Sequence, residues 1–230
     1  MSAFDLRPSR PAADPHAAAP IRRWGPPAGA APVGLVLLHG RGDSADGILG
    51  LATELAARGA GPVSVLAPNA VGGQWYPLRF LEPVERNEPW LSSALAAVGR
   101  AVAELEGAGV GRERIVVAGF SQGACLALEY VAREGGRWGA VVGLSGGLIG
   151  AEVDPARYPL HLDGTAAFLG CSDIDPHIPE TRVHATGRQL LAQGASVVTR
   201  IYPGMAHTVN ADELGWLAQH LGTLARTIEP

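Results

Sequence analysis

Residues Gly119-Phe120-Ser121-Gln122-Gly123 stand between a β-branched run, Ile115-Val116-Val117-Ala118, and a small apolar run, Ala124-Cys125-Leu126-Ala127-Leu128. A strand that becomes a helix across so few residues turns so sharply that its central residue is strained. Glycines flank it because a Cβ would clash where the chain is tightest. The serine oxygen then stands above the sheet edge at the positive end of the next helix, where negative charge on an attacking oxygen is favoured. This is the pattern of a nucleophile elbow. The competing reading is a Gly-rich strand-to-helix loop whose serine only caps the helix. A chain with 31 glycines produces such spacings by chance, so the elbow has to be judged by its context.

An elbow serine needs a histidine base and an acid that orients it, following in the order Ser, Asp or Glu, His. The run Ser196-Val197-Val198-Thr199-Arg200-Ile201-Tyr202 reads as a strand, and Pro203-Gly204-Met205-Ala206-His207-Thr208 reads as its loop. Upstream, the apolar strand Ala166-Ala167-Phe168-Leu169-Gly170 leads into a loop with Asp173 and Asp175, stiffened by Pro176 and Pro179. The plainer reading makes His207 a satisfied loop histidine and the aspartates solvated turn residues. A further element is the continuous apolar run Val33-Gly34-Leu35-Val36-Leu37-Leu38, typical of a parallel strand buried on both faces, which ends in His39-Gly40-Arg41-Gly42. Such a loop supplies half of an oxyanion hole, with one N–H from Arg41 and the other from Gln122, the residue after the serine. His39 reads as structural, since it precedes the serine and His207 fills the catalytic role better.

The segments Leu38-His39-Gly40-Arg41-Gly42, Gly119-Phe120-Ser121-Gln122-Gly123-Ala124, Asp175-Pro176-His177-Ile178-Pro179 and Pro203-Gly204-Met205-Ala206-His207 occur in that order. Together they resemble the phospholipase/carboxylesterase family of serine hydrolases, which includes the acyl-protein thioesterases. The resemblance runs from about Ile21 to the C-terminus. It implies a small α/β-hydrolase fold, cleaving esters or thioesters with no metal; the chain leaves no room for a large cap domain, and since no G-x-G-x-x-G follows a strand no organic cofactor is expected. It assigns Ser121 as nucleophile, Asp175 as orienting acid, His207 as base, and the Arg41 and Gln122 amides as oxyanion donors. Two departures bear on this. The family's Gly-x-x-Asp-x-x-Val-Pro acid motif is out of register by two residues here, so Gly170-Cys171-Ser172-Asp173 satisfies its first half and Asp175-Pro176-His177-Ile178-Pro179 its second. Asp175 is favoured because its proline-rich segment fixes the carboxylate's direction, with Asp173 as the alternative. Arg41 stands where many thioesterases carry an apolar residue, and its guanidinium either attracts an anionic substrate or projects into solvent, the latter being preferred.

At 230 residues the chain suits one well-buried α/β domain. A net charge of −4 with no basic run argues against nucleic-acid binding. The two cysteines, Cys125 and Cys171, provide no disulfide framework. Cys125 reads as a small buried hydrophobe and Cys171 as a bystander thiol or an oxidation liability. Residues 1–20 carry charges and prolines in place of a signal peptide's apolar stretch, so they are expected to be a flexible tail before a single domain over 21–230. With no transmembrane segment, cytoplasmic residence is expected. The sequence does not distinguish a monomer from a homodimer.

Strand and helix patterns alternate throughout, predicting an α/β fold with a mostly parallel central sheet and helices on both faces. Leu91, Leu95, Val98, Val102 and Leu105 mark an amphipathic helix before the elbow strand, and Asn210-Ala211-Asp212-Glu213 a capping box opening the last helix. Two long connections, Asn69 to Pro89 and Ser145 to Thr165, are candidates for substrate contact. From the first, Trp75, Tyr76 and Phe80 are expected to line an acyl pocket, and His177 is a further candidate, although each could equally pack the loop. The second is expected to close the opposite wall. The function expected is a serine hydrolase of small-molecule carboxylic esters, working through an acyl-enzyme. Alternatives are a lysophospholipase or acyl-protein thioesterase, which needs a long apolar groove, and a dienelactone-hydrolase-like enzyme, whose chemistry normally uses a cysteine where this chain has Ser121. A non-catalytic ligand-binding α/β-hydrolase is a further alternative.

Overall fold

The apolar runs become strands whose successive side chains enter opposite faces of one sheet, each face covered by helices. In the computed structural model, which describes residues 14–227, the strands are β1 (Ile21–Trp24), β2 (Val33–Leu38), β3 (Val63–Pro68), β4 (Ile115–Phe120), β5 (Ala140–Leu144), β6 (Ala166–Ser172) and β7 (Ser196–Tyr202). The helices are α1 (Ala45–Ala57), α2 (Trp90–Gly107), α3 (Gln122–Glu134), α4 (Glu180–Ala192) and α5 (Ala211–Arg226). The sheet order is β1-β3-β2-β4-β5-β6-β7, with only β1 antiparallel. On β2, Val33, Leu35 and Leu37 pack with Ile48 and Leu55 of α1 and Leu217 and Leu221 of α5. The alternate Val36 and Leu38 pack with Leu91, Val98 and Leu105 of α2, Leu126 and Leu128 of α3, and Val183 and Leu190 of α4. Each of these side chains is almost wholly buried, contributing about 1.5–3 kcal/mol relative to exposure.

The chain passes from β2 outward to β3 and then returns to place β4 on the other side of β2. A crevice opens beyond the C-terminal strand ends where the order reverses, the usual ligand position in an open α/β sheet. The loops after β2 and β4 meet there, and those after β6 and β7 follow along the same edge.

The expected tail over 1–20 is corrected for the part the structure describes; residues 1–13 lie outside the described residues. Asp14 to Pro20 packs on the body. His16 is fully buried, with Nε2 donating to the Trp75 carbonyl at 3.0 Å and Nδ1 accepting from the Val71 amide at 3.2 Å. Burial lowers its pKa, and this pair of bonds needs the neutral ring. Among the described residues no helix is long and apolar enough to cross a membrane.

Candidate active site

The elbow has the strain its sequence implies. Ser121 sits at φ 55° and ψ −117° between β4 and α3. A Cβ on Gly119 would stand 2.4 Å from the Gly123 carbonyl, and one on Gly123 would stand 2.3 Å from the Leu38 oxygen, so neither position accepts a side chain. Ser121 occupies the N-cap position of α3, yet its side chain caps nothing. This disposes of the capping alternative, because Oγ lies instead 2.9 Å from His207 Nε2.

His207 comes from the loop after β7. Its Nδ1 lies 2.6 Å from Asp175 Oδ2, in the loop after β6. Asp175 also accepts the main-chain N–H groups of His177 at 2.8 Å and Ile178 at 3.0 Å, the turn that its Asp-Pro-x-Ile-Pro sequence favours. Burial opposes charge on this carboxylate. The His207 hydrogen bond and the two amides outweigh that cost and hold its pKa below the ordinary value. Asp173 does not face His207; its Oδ1 accepts the Gly204 amide at 2.8 Å and braces the loop that carries the histidine.

A cavity of about 510 Å³ adjoins Ser121 and His207, within the range of small-molecule sites. Tyr76, Phe80 and His177 line it as expected, with Phe120, Ile178, Leu78 and Cys125 completing the apolar part. Phe120 and His177 flank the His207 ring, each with its ring centre 4.9 Å away. Trp75 does not line the cavity: it is fully buried and its indole donates to the His39 carbonyl at 2.9 Å. No residue of the Ser145–Thr165 connection reaches the cavity either. Buried Glu129 of α3 holds that segment by accepting from the Ile149 amide and the Tyr158 hydroxyl, each at 2.9 Å.

Arg41 is exposed, but it is also held in place. Its guanidinium does not project into solvent unpartnered but donates to the carbonyls of Tyr76 at 2.9 Å, Pro77 at 3.0 Å and Leu78 at 2.8 Å, and to Gln74 Oε1 at 2.7 Å. Gln122 grips the same segment from the other side, accepting from the Trp75 amide at 2.9 Å and donating to the Tyr76 carbonyl at 2.8 Å. His39 adds a third tie, its Nε2 accepting from the Ala70 amide at 3.0 Å. The main-chain N–H groups of Arg41 and Gln122 have no acceptor among the described residues, so both are free to donate into the crevice. Arg41→Met keeps that amide and releases the wall. We expect a roughly tenfold loss in kcat/KM on an ester substrate, carried mainly by KM, as measured by steady-state kinetics.

The thiols are passive. Burial pushes both Cys125 and Cys171 up to about 12, so each stays protonated and unreactive. Among the described residues no group of three His, Cys, Asp or Glu side chains could hold a metal ion.

Behind the His207 loop, Glu213 closes the α5 capping box by accepting from the Asn210 amide at 2.8 Å, while Asn210 Oδ1 accepts from the Asp212 and Glu213 amides. Burial raises the Glu213 pKa from 4.5 to about 7. The unfolded chain ionises first, so this group lowers stability progressively as pH rises from about 4.5 to 7, and the cost is constant above that. Glu213→Gln keeps an acceptor for the cap. It is expected to raise Tm at pH 8, by an amount equivalent to about 1–3 kcal/mol, and much less at pH 4.5, in thermal melts at the two pH values.

The model of the phospholipase/carboxylesterase family matches residues 26–225. Acyl-protein thioesterase 1 of Saccharomyces cerevisiae is 27% identical over 210 residues, covering 81% of this chain and 90% of that protein. The crystal structure of a phospholipase/carboxylesterase from Dyadobacter fermentans superposes with a TM-score of 0.84 at 38% identity, covering 89% of this chain and 96% of that one. The Bacillus cereus carboxylesterase shares the fold, with a TM-score of 0.66 at 19% identity over 90% of this chain and 95% of its own. The seven-stranded sheet with five helices is thus an α/β-hydrolase fold. The chain belongs to the phospholipase/carboxylesterase family and is a hydrolase acting on esters.

Proposed function

We propose that the protein is a serine carboxylesterase that works by two-step acyl transfer. The observation that carries this reading is the hydrogen-bonded line from Asp175 through His207 to Ser121, opening onto the cavity. His207 Nε2 takes the Ser121 proton as Oγ attacks the ester carbonyl. The resulting oxyanion accepts from the Arg41 and Gln122 amides. Protonated His207 then gives its proton to the leaving alcohol, and water repeats the sequence on the acyl-enzyme. Asp175 keeps the Nδ1–H tautomer of His207 and stabilises the imidazolium. The aromatic wall over Tyr76 to Phe80 receives the acyl or alcohol group.

A lysophospholipase or thioesterase activity is the second reading, supported by the likeness to the yeast acyl-protein thioesterase. Hydrolysis of 4-nitrophenyl esters from acetate to palmitate separates the two. A cavity of about 510 Å³ leads us to expect an optimum at short acyl chains. An optimum at long chains would move the assignment to lysophospholipids or acyl thioesters. No hydrolysis at any length would overturn the esterase reading.

A further inference from the structure

The cavity wall contains a cation without a partner. Arg79 directly follows the 74–78 segment that Arg41 and Gln122 fasten, borders the cavity and is exposed. Most described arginines are matched: Arg22 by Asp46, Arg23 by Glu104, Arg86 by Glu82, Arg112 by Glu106 and Arg200 by Asp212. The Arg79 guanidinium has no acceptor among the described residues. Arg137 and Arg188 share that condition, but neither borders the cavity. Arg41, in the same wall, is held by Gln74 and three carbonyls, neutral acceptors that fix its direction without cancelling its charge. Against these two guanidinium groups the lining carries one carboxylate, Asp43. Asp175, behind it, is buried and paired with His207. A chain of net charge −4 therefore has a locally cationic entrance to its reactive serine.

We propose that this site takes esters carrying a second, anionic group, a carboxylate or a phosphate, and that Arg79 binds that group. The inference rests on the serine-esterase reading above and gives it a substrate class. A guanidinium presents its N–H groups as a planar fork that matches both anions and is always charged. A positive entrance also concentrates anionic substrate, an effect that weakens as salt shortens the screening length. Arg79 acts on binding alone; the bonds made and broken are those of the acyl transfer already described.

The test compares kcat/KM within two matched pairs, in wild type, Arg79→Gln and Arg137→Gln. One pair is 4-nitrophenyl butyrate and the mono-4-nitrophenyl ester of glutaric acid; the other is 1-butyrylglycerol and 1-butyrylglycerol 3-phosphate. Arg137 precedes β5, at the sheet edge opposite the cavity, and serves as the surface control. At low ionic strength the wild type is expected to favour the anionic member of at least one pair by roughly five- to tenfold, and less in high salt. Arg79→Gln brings the ratio to about one, and Arg137→Gln leaves it unchanged. A preference confined to the first pair assigns the anion as a carboxylate, and one confined to the second as a phosphate. A wild-type ratio at or below one in both pairs, or a ratio that Arg79→Gln does not alter, overturns the proposal while leaving the esterase reading intact. Failure to hydrolyse the neutral esters as well overturns both.

Discussion

Replacing Ser121 by alanine is expected to reduce kcat for ester hydrolysis by roughly 10⁴–10⁶-fold, with the fold and its melting temperature close to wild type. The loss is large because, in the proposed mechanism, every later step depends on the covalent acyl-enzyme, and the amides of Arg41 and Gln122 stabilise an oxyanion only if an oxygen attacks. Little structural cost is expected. Alanine keeps the Cβ, so the strain at φ 55° is unchanged, and the one hydrogen bond lost from the side chain is that to His207. What holds the elbow is the approach of Gly119 to Gly123 and of Gly123 to Leu38, which the substitution does not touch. Steady-state rates, an active-site titration and a thermal melt together test this. Residual activity above about 1% of wild type would mean that another group attacks the ester.

The second large effect separates two carboxylates that lie two residues apart. Asp175→Asn is expected to lower kcat by about 10⁴-fold. Its amide oxygen can still accept from His177 and Ile178, so the turn survives, but an amide facing Nδ1 no longer stabilises the charged ring and favours the wrong tautomer. Asp173→Asn is expected to cost less than about tenfold, since the asparagine oxygen can still accept the Gly204 amide. Equal losses, or the reverse order, would refute Asp175 as the orienting acid. Because Asp175 is held below the ordinary carboxylate range, it stays ionised down into acid conditions. Protonation of Asp175 should therefore not set the acid limb of the kcat/KM profile.

Where a signal is local, the sequence reads well. The elbow was legible because strand, glycines and helix lie within about fifteen residues, and the His207 loop because a strand precedes it. The Asp175 segment stood out through its own prolines. The capping box of α5 and the amphipathic face of α2 likewise need only their neighbours to be recognised. What escaped depends on residues far apart in the chain. His16 reads as part of a polar tail until its partners Trp75 and Val71, more than fifty positions away, enclose it. Trp75 reads as a substrate contact because a lone aromatic in a long loop carries no mark of the side on which it will be buried. Arg41 reads as solvated because three of its four acceptors are main-chain carbonyls, which leave no trace in the sequence of side chains. The Ser145–Thr165 connection reads as a cavity wall until Glu129, buried on α3, draws it to the body.

The fastening of the 74–78 segment by Arg41 and Gln122 bears on how such an enzyme can change over generations. Both residues hold the pocket with their side chains, and in the mechanism proposed above their backbone amides would serve the oxyanion, so a side-chain change at either acts first on the wall that shapes the substrate. Phe80 and Ile178 face the same cavity without joining that fastening, and Arg79 stands beside them at the rim. New substrate preferences therefore have positions in which to arise that are separate from those that hold the reacting groups.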